Sequence, residues 1–436
     1  MDPLCSPEWV RAQVARSVDE WRGSAGAWPH QAPRFSMRAQ QIREKAYDRA
    51  LHAVERYSQR ASALDSARTR QKLVGSFARF AAEALDLGRD AVGVLTSGFL
   101  PVGIELGRWA RRFDPDLSQG DIVQAARNAW TACGLQPLLG ARMGLTPAIL
   151  GYSLIYPYSD NFLDQKSIGR EEKQRFGERF GRRLRGEDVT AANPHEAALW
   201  ELVSLIEEQY PRALYPAVYA SLLAIHGAQS ASVRQIDARG CGDDELLRIT
   251  CGKGGTSVLA DAYLARGELT AEEAEFGFTW GVLLQLGDDL QDVGEDLERG
   301  SETLFTRAVR AGQPLDALAA QLLNFSDAAG ARLEALPRGE AFFKHLLRMS
   351  WRSMILMAVA QYEEFFTADF ARGLEIHSPF RFAFLRARRE RLAGERGLFE
   401  RLLPVVLADP GEEAMGALIG KAAIPEGVGT DPLVLF

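Results

Sequence analysis

Two short acidic runs hold the residues whose types and spacing could do chemistry. In Ser159-Asp160-Asn161-Phe162-Leu163-Asp164, Asp160 and Asp164 stand four positions apart, so on a helix both side chains leave from one face. Asp288, Asp292 and Asp296 repeat at the same interval, with Asp289 and Glu295 on or beside that face. Like charges at this spacing cost an isolated helix about 0.2 to 0.5 kcal/mol per pair, and neither run has a lysine placed to relieve them. A cation held between the runs would remove that cost. Oxygen-only ligands that leave room for water and phosphate suit Mg²⁺. A di-iron carboxylate centre would instead want Glu-x-x-His, and none of these acids has a histidine three residues on.

An acidic run alone reads as a solvated helix face. Here both runs follow strongly apolar stretches, Ala148 to Tyr156 and Phe276 to Leu286, which sets the carboxylates at the ends of core-lining helices. Moving back from the second run by helical turns come Leu284, Gly281, Trp280 and Gly277; back from Asp160 come Tyr156, Ser153 and Tyr152. That pattern describes an apolar, aromatic-lined cavity with metal at its mouth. Aromatic faces there would steady a developing carbocation by about 0.5 to 2 kcal/mol each, and dry walls would keep water from quenching it. Core packing is the competing role for Tyr152, Tyr156 and Trp280.

The elements that must position these residues are helices. Apolar residues recur at three- and four-residue spacing, as in Ile122, Ala125, Ala126, Ala129 and Trp130, and alternating β-type runs are scarce. Thr146 reads as an N-cap with Pro147 at the first helical position, opening a helix that runs to Asp164 with a kink expected at Pro157. Thr270 with Glu273 three residues later reads as a capping box, opening a helix expected to reach about Leu297 before Gly300 stops it. Three segments are expected: a helical extension over 1–85, a catalytic body over 86–403, and a loose tail over 404–436.

A chain of 436 residues, 47% hydrophobic and 25% charged, can bury a sizeable core. Its net charge of −7 argues against nucleic acid as a general partner. The four cysteines form no close pair, which points to a reducing, cytoplasmic setting without structural zinc. No apolar stretch reaches the roughly 18 residues that would span a bilayer, though a greasy substrate could bring the protein against a membrane surface. The basic runs Arg182, Arg183, Arg185 and Arg386, Arg388, Arg389, Arg391 read as solvated helix faces. The protein is expected to be a monomer or a homodimer.

At its acidic runs the sequence resembles the class I isoprenoid (terpene) synthase superfamily. Asp160-Asn161-Phe162-Leu163-Asp164 stands where that group has its D-D-x-x-D motif, with Asn161 at the second position. Leu284-Gln285-Leu286-Gly287-Asp288-Asp289-Leu290-Gln291-Asp292 is similar to the second motif of trans-prenyl synthases, and Asp292-Val293-Gly294-Glu295-Asp296 to that of squalene and phytoene synthases. The wider spacing, with Gly254-Gly255-Thr256-Ser257 ahead of Leu269 to Ala274 and then Asp288, Asp292, Glu295 and Asp296, most resembles bacterial large-terpene synthases of the tetraprenyl-β-curcumene synthase type. The likeness covers about residues 95 to 310. It implies an all-α bundle around a central apolar cavity. It also implies three Mg²⁺ ions held by Asp160, Asn161, Asp164, Asp288, Asp289, Asp292, Glu295 and Asp296, and a prenyl diphosphate bound by Lys253 and Gln285.

Arg299 joins Lys253 as a candidate for the diphosphate, with interaction at its own helix end as the alternative. The Arg pair that follows the first motif of chain-elongating enzymes is absent, since Gln165-Lys166-Ser167 follows Asp164. Elongation is therefore disfavoured. The expectation is an Mg²⁺-dependent lyase that ionises a long linear prenyl diphosphate, releases pyrophosphate and cyclises the cation, with Asp160, Asp164, Asp288 and Asp292 central. A transferase that couples two prenyl diphosphates, and a partner subunit that binds a prenyl lipid without turning it over, remain open.

Overall fold

Thr270 caps its helix as its sequence requires. Its Oγ1 accepts from the Glu273 N–H at 3.3 Å while the Glu273 carboxylate accepts from the Thr270 N–H at 2.9 Å, so two backbone donors with no partner inside the helix are satisfied reciprocally. The computed structural model describes residues 3–28, 33–59, 66–164, 168–236, 242–394 and 406–407. All regular structure among them is helical. The tail expected from residue 404 falls outside the described residues except for 406–407.

The helix Pro147–Asp164 also starts where expected, with the Ile149 N–H donating to Thr146 Oγ1 at 3.3 Å, and it continues past Pro157. The second helix differs in its course. It runs Ala271–Gln291, breaks at Asp292 (φ −99°, ψ 8°), and resumes as Val293–Arg299, which ends at left-handed Gly300 (φ 81°). The break falls beside Val293 and Gly294, two weak helix formers. The Asp292 N–H still reaches the Asp288 carbonyl and the Asp296 N–H the Asp292 carbonyl, each at 2.8 Å, so the acidic residues keep nearly helical spacing.

The chain divides into two compact units. The first comprises Met1–Ser24, Glu105–Arg307 and Asp327–Glu340; the second comprises Ala25–Ile104, Ala308–Ser326 and Ala341–Phe436, each as far as it is described. At the centre of the first unit lies the helix Asp243–Arg266, buried almost all round from Thr250 to Ala265 as only an interior helix can be. It packs against Pro7–Gly23, Gln119–Leu138, Pro216–Ile236 and Ala271–Gln291. The Pro147 helix packs on Gln119–Leu138 and Pro194–Gln209.

In the second unit Met37–Gln59 packs on Ser66–Glu83, and Ala341–Gln361 on Phe382–Gly394. The Tyr47 ring meets Phe80, Phe380 and Phe384 edge-on, at 5.4 to 5.8 Å.

The basic runs are only in part the solvated faces expected. Arg183 is only 14% exposed and forks onto Glu207 with two 2.6 Å hydrogen bonds, and Arg212 donates to the same carboxylate at 2.8 Å. Arg388 forks onto Asp48 at 2.6 and 2.7 Å, and Arg386 and Arg391 pair with Glu363 and Glu55. Arg182 and Arg185, half exposed, share Glu187, and Arg389 lies over the Tyr362 ring. Arg183, Arg386, Arg388, Arg389 and Arg391 tie their helices to others because each finds a carboxylate or an aromatic face on a different segment, a match that the spacing within one helix does not reveal. No described helix is long and apolar enough to cross a membrane.

Candidate metal centre

The second acidic run is placed by a contact between backbones. A Cβ on Gly254 would collide with the Gly281 carbonyl and with Gln285 Cβ, and one on Gly281 would collide with the Gly254 carbonyl. Glycine at both positions therefore lets the Asp243 and Ala271 helices touch. The face carrying Gly277, Gly281 and Gln285 is thus filled by the neighbouring helix; the sequence had suggested that this face lines a cavity. Trp280 lies on the same helix. It is 3% exposed, with its ring 5.6 Å from Phe276.

The crossing sets Asp289 in the interior. It is 8% exposed, and its Oδ1 accepts from Gln285 Nε2 at 2.9 Å. Burial pushes its pKa up to about 7 against the pull of that hydrogen bond; the Asp288 and Asp296 charges add to the rise and Lys253 opposes it. Asp292 is pushed up to about 6, by burial first and then by Asp288, Glu295 and Asp296. Asp296 is also raised by burial, with Ser301, Arg299 and Lys253 opposing and Asp288 adding. Asp288 stands at the rim with its side chain 43% exposed, and its Oδ1 accepts from Arg127 Nη2 at 3.1 Å. Glu295 and Arg299 pair with each other at 3.1 Å, both well exposed. Asp288, Asp289, Asp292 and Asp296 thus form one electrostatic cluster, flanked by Arg127 and Lys253.

The first run occupies the end of the Pro147 helix, where the side chains of Asp160, Asn161 and Asp164 lie outside the described residues. What anchors that helix end is described. Phe162 stacks on His195 with centroids 5.1 Å apart and meets Phe176 at 4.5 Å, and the Tyr158 hydroxyl donates to Asp114 Oδ2 at 2.5 Å. Deeper along the helix, Ser153 Oγ donates to Asn128 Oδ1 at 2.9 Å, and Asn128 Nδ2 points to Asp261 Oδ2 at 3.4 Å. Asp261 is 1% exposed, its Oδ1 has no hydrogen-bond partner, and burial holds its pKa well above the usual carboxylate range.

Tyr152 and Tyr156 were expected to line a cavity. They line a crevice with Ile155, Phe180, Leu222 and His226, about 320 Å³ including the solvent it opens onto.

Neither a protein-family model nor a curated protein matches this chain.

Among the described residues no three His, Cys, Asp or Glu side chains converge as a ready-made metal cage. The donor chemistry nonetheless fits a hard divalent cation. The cluster offers carboxylate oxygens alone, and burial and mutual repulsion already make their negative charge costly. A cation would relieve both causes. Gln285 was expected at a diphosphate; in the structure its amide orients Asp289.

Arg127 and the polar set of Asn128 and Asp261 went unnoticed in the sequence. An exposed arginine carries no signal. Asn128 did carry one, since it shares a helical stripe with buried Ala125 and Ala132, and a polar residue on such a stripe needs an interior partner.

Proposed function

We propose that the chain is an Mg²⁺-dependent class I terpene synthase, which ionises a linear prenyl diphosphate, releases pyrophosphate and cyclises the resulting cation. The observation that carries this reading is the crowding of Asp288, Asp289, Asp292 and Asp296 at the end of a buried apolar helix, with Asp289 and Asp292 raised to about 7 and 6. A cluster kept in that condition favours a cation, and oxygen donors beside a second aspartate run favour one that also ligates phosphate.

In this reading Asp288, Asp289, Asp292, Glu295 and Asp296 hold Mg²⁺ from one side, and Asp160, Asn161 and Asp164 from the other. When bound, Mg²⁺ supplies positive charge that stabilises the diphosphate as a leaving group. Lys253, within the field of Asp289 and Asp296, adds a cationic group for the phosphate oxygens. Gln285 keeps Asp289 aimed through its 2.9 Å hydrogen bond. Tyr152 and Tyr156 present aromatic faces in the crevice, where they would steady a developing cation.

The test is incubation with Mg²⁺ and prenyl diphosphates of increasing length, reading pyrophosphate release and the mass of extracted hydrocarbon. A hydrocarbon with the carbon count of one substrate supports cyclisation. One with twice that count moves the assignment to coupling. Absence of pyrophosphate with every substrate overturns the enzyme reading.

A further inference from the structure

We infer that Arg127 is an exchangeable counter-ion of the acidic cluster, one that holds Asp288 in the absence of metal and turns to the anionic group of the substrate once metal has taken Asp288. The inference rests on the functional reading above and adds to it a binding residue and an order of binding.

Arg127 belongs to neither acidic run. It comes from the helix Gln119–Leu138, and its neighbour Asn128 is tied to Ser153 at 2.9 Å and directed at Asp261. The backbone at Arg127 is therefore fixed to the interior of the first unit, while the side chain, 62% exposed, reaches the rim. The contact there is one-pronged, Nη2 to Asp288 Oδ1 at 3.1 Å. It leaves unused the parallel pair of N–H groups with which arginine grips a carboxylate or a phosphate. Exposed single contacts of this kind contribute little to stability and exchange readily. Arg183 and Arg388, which fork onto their carboxylates in half-buried settings, show how this chain builds arginines meant to stay in place.

The charge pattern fits an exchange. Arg127 acts on Asp288 and Asp292, whereas Lys253 acts on Asp289 and Asp296, so two cations from two helices share the carboxylates between them. With Asp288 engaged by a divalent cation, its carboxylate would no longer hold Arg127, and the guanidinium would be free. Arg127, its fork unused at the rim, would then be the matching donor for phosphate oxygens. Metal and Arg127 therefore compete, while Arg127 and diphosphate cooperate.

Calorimetric titration of wild type and Arg127→Gln reads both effects without turnover. MgCl₂ alone should bind Arg127→Gln about two- to fivefold more tightly, because an exposed ion pair no longer competes. Inorganic pyrophosphate at saturating Mg²⁺ should bind it about tenfold or more weakly, the usual loss for a hydrogen bond to a charged group. Arg127→Lys, which keeps the charge and loses the fork, should fall between them for pyrophosphate. Unchanged affinities in Arg127→Gln, or weaker Mg²⁺ binding, overturn the inference while leaving the functional reading standing. A wild type that binds neither Mg²⁺ nor pyrophosphate overturns both.

Discussion

Gly254 and Gly281 bring two buried helices into backbone contact, and no side chain larger than hydrogen fits at either position. Gly281→Ala should therefore destabilise the protein by about 1 to 3 kcal/mol, the usual cost of overpacking a core. In a unit of this size that lowers Tm by about 2 to 4 °C for each kcal/mol. Gly227, on the exposed side of its helix with open space where a Cβ would go, is the control. Gly227→Ala should raise Tm slightly, since alanine restricts the unfolded chain. Equal effects from the two substitutions in a thermal melt would contradict the crossing described.

Two half-buried imidazoles give the fold a dependence on pH. Burial lowers the pKa of His226, with a hydrogen bond to the Gly177 backbone opposing and Arg185 adding; burial likewise lowers that of His195, with Glu196 opposing. The unfolded chain titrates them near their ordinary value of about 6.5. As pH falls below that value the unfolded state binds more protons, so the stability present at pH 7 and above is lost as pH drops through the folded values. Between pH 7.5 and 5.5 the raised carboxylates Asp289 and Asp292 act in the opposite sense, gaining stability as they protonate, so urea denaturation at the two pH values isolates the imidazole by difference: His226→Asn should lose less stability on going to 5.5, or gain more, than wild type. The same difference in wild type and variant would show that His226 contributes nothing to it.

Glu207 receives both Arg183 and Arg212 in a half-buried pocket. Glu207→Gln should cost about 1.5 to 3 kcal/mol, the range for hydrogen bonds to charged groups, and leave Mg²⁺ affinity unchanged. A variant with normal stability but altered pyrophosphate binding would instead assign the 182–185 basic run to the substrate.

Asp289→Asn keeps an acceptor for Gln285 Nε2 while removing one charge from the crowded cluster. The metal-free variant should be at least as stable as wild type, because a buried charge is expensive, and should bind Mg²⁺ about tenfold or more weakly, as losses around a metal site commonly do. Calorimetry and a thermal melt report the two together. Unchanged Mg²⁺ affinity would remove Asp289 from the ligand set.

Helix starts were legible because their signals are local. Thr270 with Glu273, and Thr146 with Pro147, act within one turn, and the structure keeps both. The acidic spacing was legible for the same reason. What escaped was every feature whose meaning lies in a second helix. A glycine in an apolar stretch marks either a hollow or a contact, and Gly281 marks a contact only because Gly254 faces it. Arg183 and Arg388 look like surface charge until Glu207 and Asp48 are placed beside them. Arg127 resembled any exposed arginine on an amphipathic helix, and only the Ala271 helix, far along the chain, brings Asp288 to it.

The measurement that bears most directly on the proposed activity is pyrophosphate release from a long prenyl diphosphate with Mg²⁺, for wild type, Asp160→Ala and Asp288→Ala, each first shown to be folded by circular dichroism. The expected result is release by wild type that EDTA abolishes, and a loss of about two orders of magnitude or more in each variant, comparable to the loss of one strong electrostatic stabiliser. Release that survives EDTA, or that both folded variants retain, would contradict the assignment of the two aspartate runs as its metal-binding centre.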